Sequence, residues 1–232
     1  MTTQELIAKI IPRTVDSGYK DLRFALGLNY SRVMRSYADW RVGAHKDEMS
    51  SGSEKVLLTF DDYGSDEQVT RLLDILSAQD VRAVFFLQGD WAQKNPALVA
   101  KIRARGQLVG NHTFSHPDLL SLTDDAVRFE LENGPKSQWL RPPRGRFNDR
   151  IRAIAAELGM TIKYWSIDSD DWQGVSKDLM LRKVVPQLQR GAVILFHIHA
   201  DETALALPEL IDQIRAHGLD TPNIDEPVWG VK

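Results

Sequence analysis

The chain has 232 residues, 43% of them hydrophobic and 26% charged, the balance of a soluble globular protein with room for one larger domain. Lys plus Arg number 29 against 32 Asp plus Glu, a formal net charge of −3, which argues against nucleic-acid binding by bulk charge. The absence of cysteine excludes disulfides, thiolate metal sites and cysteine nucleophiles together.

Residues 1–54 predict a helical extension. Two helical stretches, 3–11 and 19–37, precede a polar linker over 47–53. The second carries Leu22, Leu26, Tyr30, Val33 and Tyr37 at near-helical spacing, with Arg23, Arg32 and Arg35 between them. Such a helix packs an apolar face on the rest of the chain, or docks on a membrane surface or partner. Met1–Pro12 lacks the apolar core of a secretory signal, so a cytoplasmic location is expected. No apolar run approaches the roughly 20 residues of a membrane span.

Residues 55–232 predict one α/β domain. Short apolar runs read as strands at Val56–Phe60, Val81–Leu87, Gln107–Gly110, Gln138–Leu140, Thr161–Ile167 and Ala192–Phe196, with a last one at Val228–Val231. Continuous apolar runs of this length suit strands covered on both faces. Helix signals alternate with them. Ser65 and Gln68 form a capping box ahead of Val69, Leu72, Leu73 and Leu76. Further helices are expected at Pro96–Arg105, Thr123–Glu132, Asp149–Leu158 and Leu207–His217, each followed closely by glycine. A helix over Ser176–Arg190 should break at Pro186. Repeated βα units call for a parallel sheet with helices outside, and six or seven of them fit a barrel better than a small open sheet.

Polar residues collect just after these strands: Asp61 and Asp62, His112 and His116, Arg141, Asp168, and His197. In a parallel barrel those strand ends share one face, the face that carries active sites. Asp62, His112 and His116 offer one carboxylate and two imidazoles, a set suited to zinc with open positions. The same set fits the facial triad of iron oxygenases, so that chemistry is a rival. Two Asp after a strand also suit a plain helix cap. As a functional pair, one binds a cation while its neighbour takes a proton. His197 ends an apolar strand and, on the face of the metal set, is a general-acid candidate, with His199 as its backup.

Five blocks in this order resemble the motifs of the NodB-type polysaccharide deacetylases, carbohydrate esterase family four. They are Thr59-Phe60-Asp61-Asp62, His112-Thr113-Phe114-Ser115-His116-Pro117, Arg141-Pro142-Pro143-Arg144-Gly145, Asp168-Ser169-Asp170-Asp171-Trp172 and Leu195-Phe196-His197. The resemblance implies an incomplete (β/α)7 barrel that removes N-acetyl groups from an N-acetylglucosamine-containing carbohydrate. It implies Asp61 as base held by Arg141, and Asp62, His112 and His116 as ligands to a divalent metal, Zn2+ first, with Co2+, Ni2+ or Mn2+ as alternatives. It implies His197 as acid tuned by Asp168, an oxyanion contact from the Arg144 backbone, and an acyl pocket lined by Trp172 and Leu195. Three departures bear on substrate: Arg144 replaces a usual Tyr, Tyr63 intervenes before Gly64, and the segment from His116 to Arg141 is short. Rival readings are a deacylase of a small formamide, ureido compound or acetyl ester, and a non-catalytic sugar-binding relative.

Overall fold

A computed structural model describes residues 49–231; the helices expected at 3–11 and 19–37 lie outside the described residues. The segment expected as a linker is partly built into the domain. Met49 and Ser51 are buried, the Ser51 N–H donates to Gly191 O at 2.8 Å, and Trp229 Nε1 donates to Ser50 O at 2.9 Å.

Seven strands form one parallel sheet: β1 Leu57–Asp62, β2 Val84–Leu87, β3 Leu108–Asn111, β4 Trp139–Leu140, β5 Thr161–Ile162, β6 Ile167–Asp168 and β7 Val193–His197. Their order is β5-β4-β3-β2-β1-β7-β6. The helices between them are α1 Asp66–Ala78, α2 Gly89–Lys94, α3 Pro96–Ala104, α4 Asp124–Asn133, α5 Asp149–Glu157, α6 Lys177–Val184 and α7 Asp201–Ala216. A sheet that curls with β5 and β6 at its two edges is the incomplete (β/α)7 barrel expected from the motifs.

The predicted strand at Thr161–Ile167 is two strands at opposite edges of the sheet. In a single strand, neighbouring Tyr164 and Trp165 would point to opposite faces. Here both are buried in one cluster, their rings stacked at 4.2 Å and 4°. The chain leaves the sheet to fill the gap with these rings and rejoins it beside β7. The last predicted strand, Val228–Val231, is an isolated antiparallel bridge. Trp229 (φ 47°) and Gly230 (φ 82°) both sit in the left-handed region, which turns the chain back on itself.

The capping box of α1 forms as the sequence predicts, with Gln68 N–H donating to Ser65 Oγ at 3.2 Å and Ser65 N–H to Gln68 Oε1 at 3.0 Å. Pro186 ends α6 in a 3-10 turn over Val185–Gln187. The final helix starts six residues before the predicted Leu207 and runs through Pro208. The short α2 had no periodicity to announce it. No helix among the described residues is long and apolar enough to cross a membrane.

Strand alternation divides the core in two. Leu58, Phe60, Phe85, Leu87, Ile194 and Phe196 pack with α1 and α7. Leu57, Val84, Phe86, Val193 and Leu195 face the inner cluster with Tyr164 and Trp165. Continuing the inner parity along β1 and β7 gives Thr59 and Asp61, then His197.

Candidate active site

Register brings the first two groups together. Asp61 is paired with His197 across β1 and β7, so both side chains stand side by side on the inner face. Asp62 should face outwards by alternation. Its φ of 76° breaks the pleat, and its carboxylate joins the site.

Arg141 enters from the end of β4 and is completely buried. Its Nη1 donates to Asp61 Oδ1 at 2.7 Å and to Thr59 Oγ1 at 2.8 Å; Nη2 donates to Tyr164 O at 3.1 Å. The guanidinium lies 4.1 Å above the Phe86 ring. Phe86 can supply that platform because its register partner on β3 is Gly110, where an added Cβ would come within 2.3 Å of the ring. Thus a glycine on one strand bears on the position of the Asp61 carboxylate on another, through Phe86 and Arg141.

His112, His116 and Asp62 each offer a ligand atom within 4.8 Å of the others. His112 Nε2 and His116 Nε2 lie 3.4 and 3.5 Å from the same Asp62 Oδ1. These gaps exceed a hydrogen bond of about 2.9 Å. They match the edge of about 3.4 Å between donors on a tetrahedral ion with bonds of about 2.0–2.1 Å. The His112 Nδ1 faces Arg141 O at 2.7 Å; as its donor it leaves the Nε2 lone pair turned to the cluster. Burial pushes His116 down to about 4, helped by His112, so near pH 7 it is neutral and able to ligate. Burial opposes protonation of His112 too, but the carboxylates of Asp61 and Asp62 outweigh it and raise its pKa. A bound cation would take the place of that proton. Asp62 is held well below the usual carboxylate range: burial acts against this, and the neighbouring His112, with His197 and His116, overcomes it through charge. The donor set therefore fits a divalent cation.

Three residues not anticipated from the motifs support the ligands. Gln88 Nε2 donates to Asp62 Oδ1 at 2.9 Å. Glu130, buried on α4, accepts from the backbone N–H groups of Phe114 and Ser115 at 2.9 and 2.8 Å and from Ser115 Oγ at 2.6 Å, fixing the loop between the two histidines. Asn111 Oδ1 accepts from Thr113 N–H at 2.7 Å. That loop is not a helical turn: Thr113 and His116 have φ of 65° and 60°.

The carboxylate on His197 is Asp171, which corrects the expectation of Asp168. Asp171 Oδ1 meets His197 Nδ1 at 2.7 Å, and Oδ2 accepts both the His197 backbone N–H at 2.7 Å and Thr203 Oγ1–H at 2.6 Å. Asp168 Oδ1 instead accepts Asp170 N–H at 3.0 Å. That turn, with Asp170 at φ 59°, delivers the residue three places on to β7. Burial alone would lower the His197 pKa, yet the hydrogen bond and charge of Asp171 dominate and leave it at about 9.

The remaining expected residues frame this centre. Leu195 is buried on the inner face of β7, two residues before His197. Trp172, next to Asp171, is 49% exposed. Arg144 lies in a 3-10 turn at φ 56° with its side chain exposed, and its charge helps depress His116. Tyr63 is 47% exposed and stacks on His199 at 5.4 Å and 22°. Five non-glycine residues of these loops, Asp62, Thr113, His116, Arg144 and Asp170, occupy positive φ, at a cost of about 1–3 kcal/mol each.

Comparison with known proteins agrees with this geometry. The family model for polysaccharide deacetylase matches residues 48–162. The chain is 34% identical over 177 residues to a peptidoglycan-N-acetylglucosamine deacetylase of Bacillus cereus, covering 71% of this chain and 64% of that protein. A family 4 carbohydrate esterase from Streptomyces lividans, solved with acetate, superposes with a TM-score of 0.68 at 32% identity, over 72% of this chain and 91% of the esterase. A pseudoenzyme of the same family from Bacillus anthracis superposes with a TM-score of 0.72 at 30% identity, over 78% of this chain and 68% of that one. The chain spans about half to four fifths of the length of the first curated relatives it matches. From its motifs, its fold and these relatives, the chain belongs to the polysaccharide deacetylases, carbohydrate esterase family four.

Proposed function

We propose that this chain hydrolyses N-acetyl groups on an N-acetylglucosamine-containing oligo- or polysaccharide, with a divalent cation held by Asp62, His112 and His116. The observation that carries this reading is the flanking of that ligand cluster by two oppositely prepared proton carriers. Asp61 is a buried carboxylate on Arg141, and His197 is a partly buried imidazole on Asp171. The relatives named above include a deacetylase of peptidoglycan N-acetylglucosamine, which supports the same class of substrate.

The cation supplies Lewis-acid activation of water and of the amide carbonyl. Zinc would suit the mixed nitrogen and oxygen donors of Asp62, His112 and His116; cobalt, nickel and manganese are the alternatives. The chain's own groups do the rest. Asp61, oriented by Arg141, accepts a proton from the attacking water. The left-handed turn at Arg144 offers backbone to the developing oxyanion, a contribution of about 3–4 kcal/mol where such a donor is preorganised. His197, charged and held by Asp171, donates a proton to the departing amine, a transfer that typically contributes about 10²–10⁴-fold. An amide requires this acid because an unprotonated amine is a poor leaving group. Leu195 and Trp172 close around a small acyl group.

A pseudoenzyme among the structural relatives shows that the fold alone does not guarantee turnover. In this chain every residue proposed as ligand, base or acid is present, which supports catalysis over simple sugar binding. The deciding experiment pairs metal analysis of the purified protein with an acetate-release screen over chitooligosaccharides, peptidoglycan fragments and acetylxylan. Acetate from an amino sugar at one bound dication per chain is the expected result. Release only from acetylxylan, or only from small formamides or ureido compounds, would replace the proposed substrate.

A further inference from the structure

We propose that Tyr63 and His199 act together as a substrate-positioning pair, an aromatic platform for a sugar ring beside the scissile amide. This rests on the carbohydrate reading above and assigns the subsite that enforces it.

Three contacts lock the two residues' segments to each other. Ile198 N–H donates to Asp61 O at 3.1 Å, and Gln68 Nε2 donates to His199 O at 3.1 Å. Gly64 lies so close to Ile198 that an added Cβ would come within 2.5 Å of its Cγ2. The residue before Gly64 and the residue after Ile198 are thereby presented side by side, and their rings stack. A site built on such fixed elements is preorganised.

The pair sits at the reacting groups. The His199 ring is 5.5 Å from the His197 ring, and its Nδ1 is 3.8 Å from Asp62 Oδ2. That nitrogen is shielded from solvent and has no hydrogen-bond partner among the described residues. A buried polar atom left unsatisfied is costly, so it calls for a partner supplied from outside the fold. Among the described residues, the ligand atoms grouped within 4.8 Å of one another belong to Asp62, His112 and His116, a set that leaves His199 out. A hydroxyl or amide of the substrate meets the need.

Tyr63 supplies the area. With His199 stacked on it, Tyr63 stays 47% exposed, so aromatic surface remains open beside His199. The C–H-rich face of a pyranose is apolar and faintly positive, and it packs on the negative face of an aromatic ring. A bare acyl ester has no such face to offer.

The test compares chitotriose triacetamide with a sugar-free aryl acetate in the metal-loaded protein. Tyr63→Ala is expected to lower the preference (kcat/KM ratio) for the trisaccharide over the ester about three- to tenfold, mainly through KM. Tyr63→Phe, which keeps the ring, should restore it. His199→Phe keeps the stack and removes the nitrogen; it should lower the same ratio at unchanged metal content. An equal fall on both substrates, no change in the ratio, or loss of bound metal in either Tyr63→Ala or His199→Phe overturns the proposal. Failure of the unmodified protein to deacetylate any sugar while it cleaves the ester overturns the carbohydrate reading, and this inference with it.

Discussion

Asp171 grips His197 at two points, the ring Nδ1 and the backbone N–H, both at 2.7 Å. The carboxylate thus fixes where the imidazole stands and keeps it charged. A group whose folded pKa is raised stabilises the fold below its unfolded value and loses that contribution as pH climbs through the folded value. For His197 the window runs from about 6.5 up to about 9. Asp171, held low by His197 and Thr203 despite its burial, contributes above the ordinary carboxylate range and loses its share as pH falls through its depressed value.

The acid role predicts a pH profile. Activity should decline on the alkaline side as His197 loses its proton, at or below about pH 9 because the nearby dication opposes protonation. Asp171→Asn should move that limb towards acid and cut kcat about 10²-fold or more. Asp168→Asn should leave the limb where it is. A shift with Asp168→Asn and none with Asp171→Asn in the kcat/KM profile would reverse the assignment.

The roles proposed for Asp61 and His112 predict different outcomes. Asp61→Asn should retain the metal, measured by elemental analysis, and lose nearly all turnover. His112→Ala should lose both. Chelation should abolish activity and added zinc or cobalt should return it; turnover indifferent to a chelator would rule out a cation in the chemistry.

Glu130 tests the support of the ligands. Its carboxylate holds the loop from Phe114 to Ser115, so Glu130→Gln should weaken metal affinity about 10- to 100-fold while the circular dichroism spectrum stays that of the parent. Competition against a coloured chelator reads this directly, and an unaltered affinity would assign Glu130 to folding alone.

Arg141 and Asp61 are buried partners at 2.7 Å. Arg141→Met leaves the carboxylate uncompensated and should destabilise the domain by about 3–5 kcal/mol in urea unfolding. Gly110→Ala, which drives a methyl into Phe86 beneath the same guanidinium, should cost about 1–3 kcal/mol and lower kcat together with stability. A Gly110→Ala protein of normal stability and activity would break the proposed link from β3 to the base.

Much of this was legible in the chain because strand ends carry their polar residues in phase. Asp61, Asp62, His112, His116, Arg141 and His197 follow apolar runs, and the parallel topology does the gathering. Asp171 was not legible as the partner of His197. Asp168, Asp170 and Asp171 lie within four residues, and only the left-handed turn at Asp170 decides which carboxylate reaches β7. Glu130 and Gln88 were hidden for a different reason: each acts through a partner distant in sequence, from a helix or loop position where an ordinary polar residue is unremarkable. The run Thr161–Ile167 misled because its composition suits a strand throughout, while Tyr164 and Trp165 are better buried together than on opposite faces.

The residues held at positive φ around this centre have a bearing on engineering. Asp62, Thr113, His116, Arg144 and Asp170 are side chains in places that glycine or asparagine would occupy with less strain. A selection for heat tolerance alone would therefore drift towards exchanging them, and its winners at Asp62 and His116 would be sturdier proteins with an emptied centre. Libraries meant to harden this domain should freeze those five positions and vary the outer helices instead.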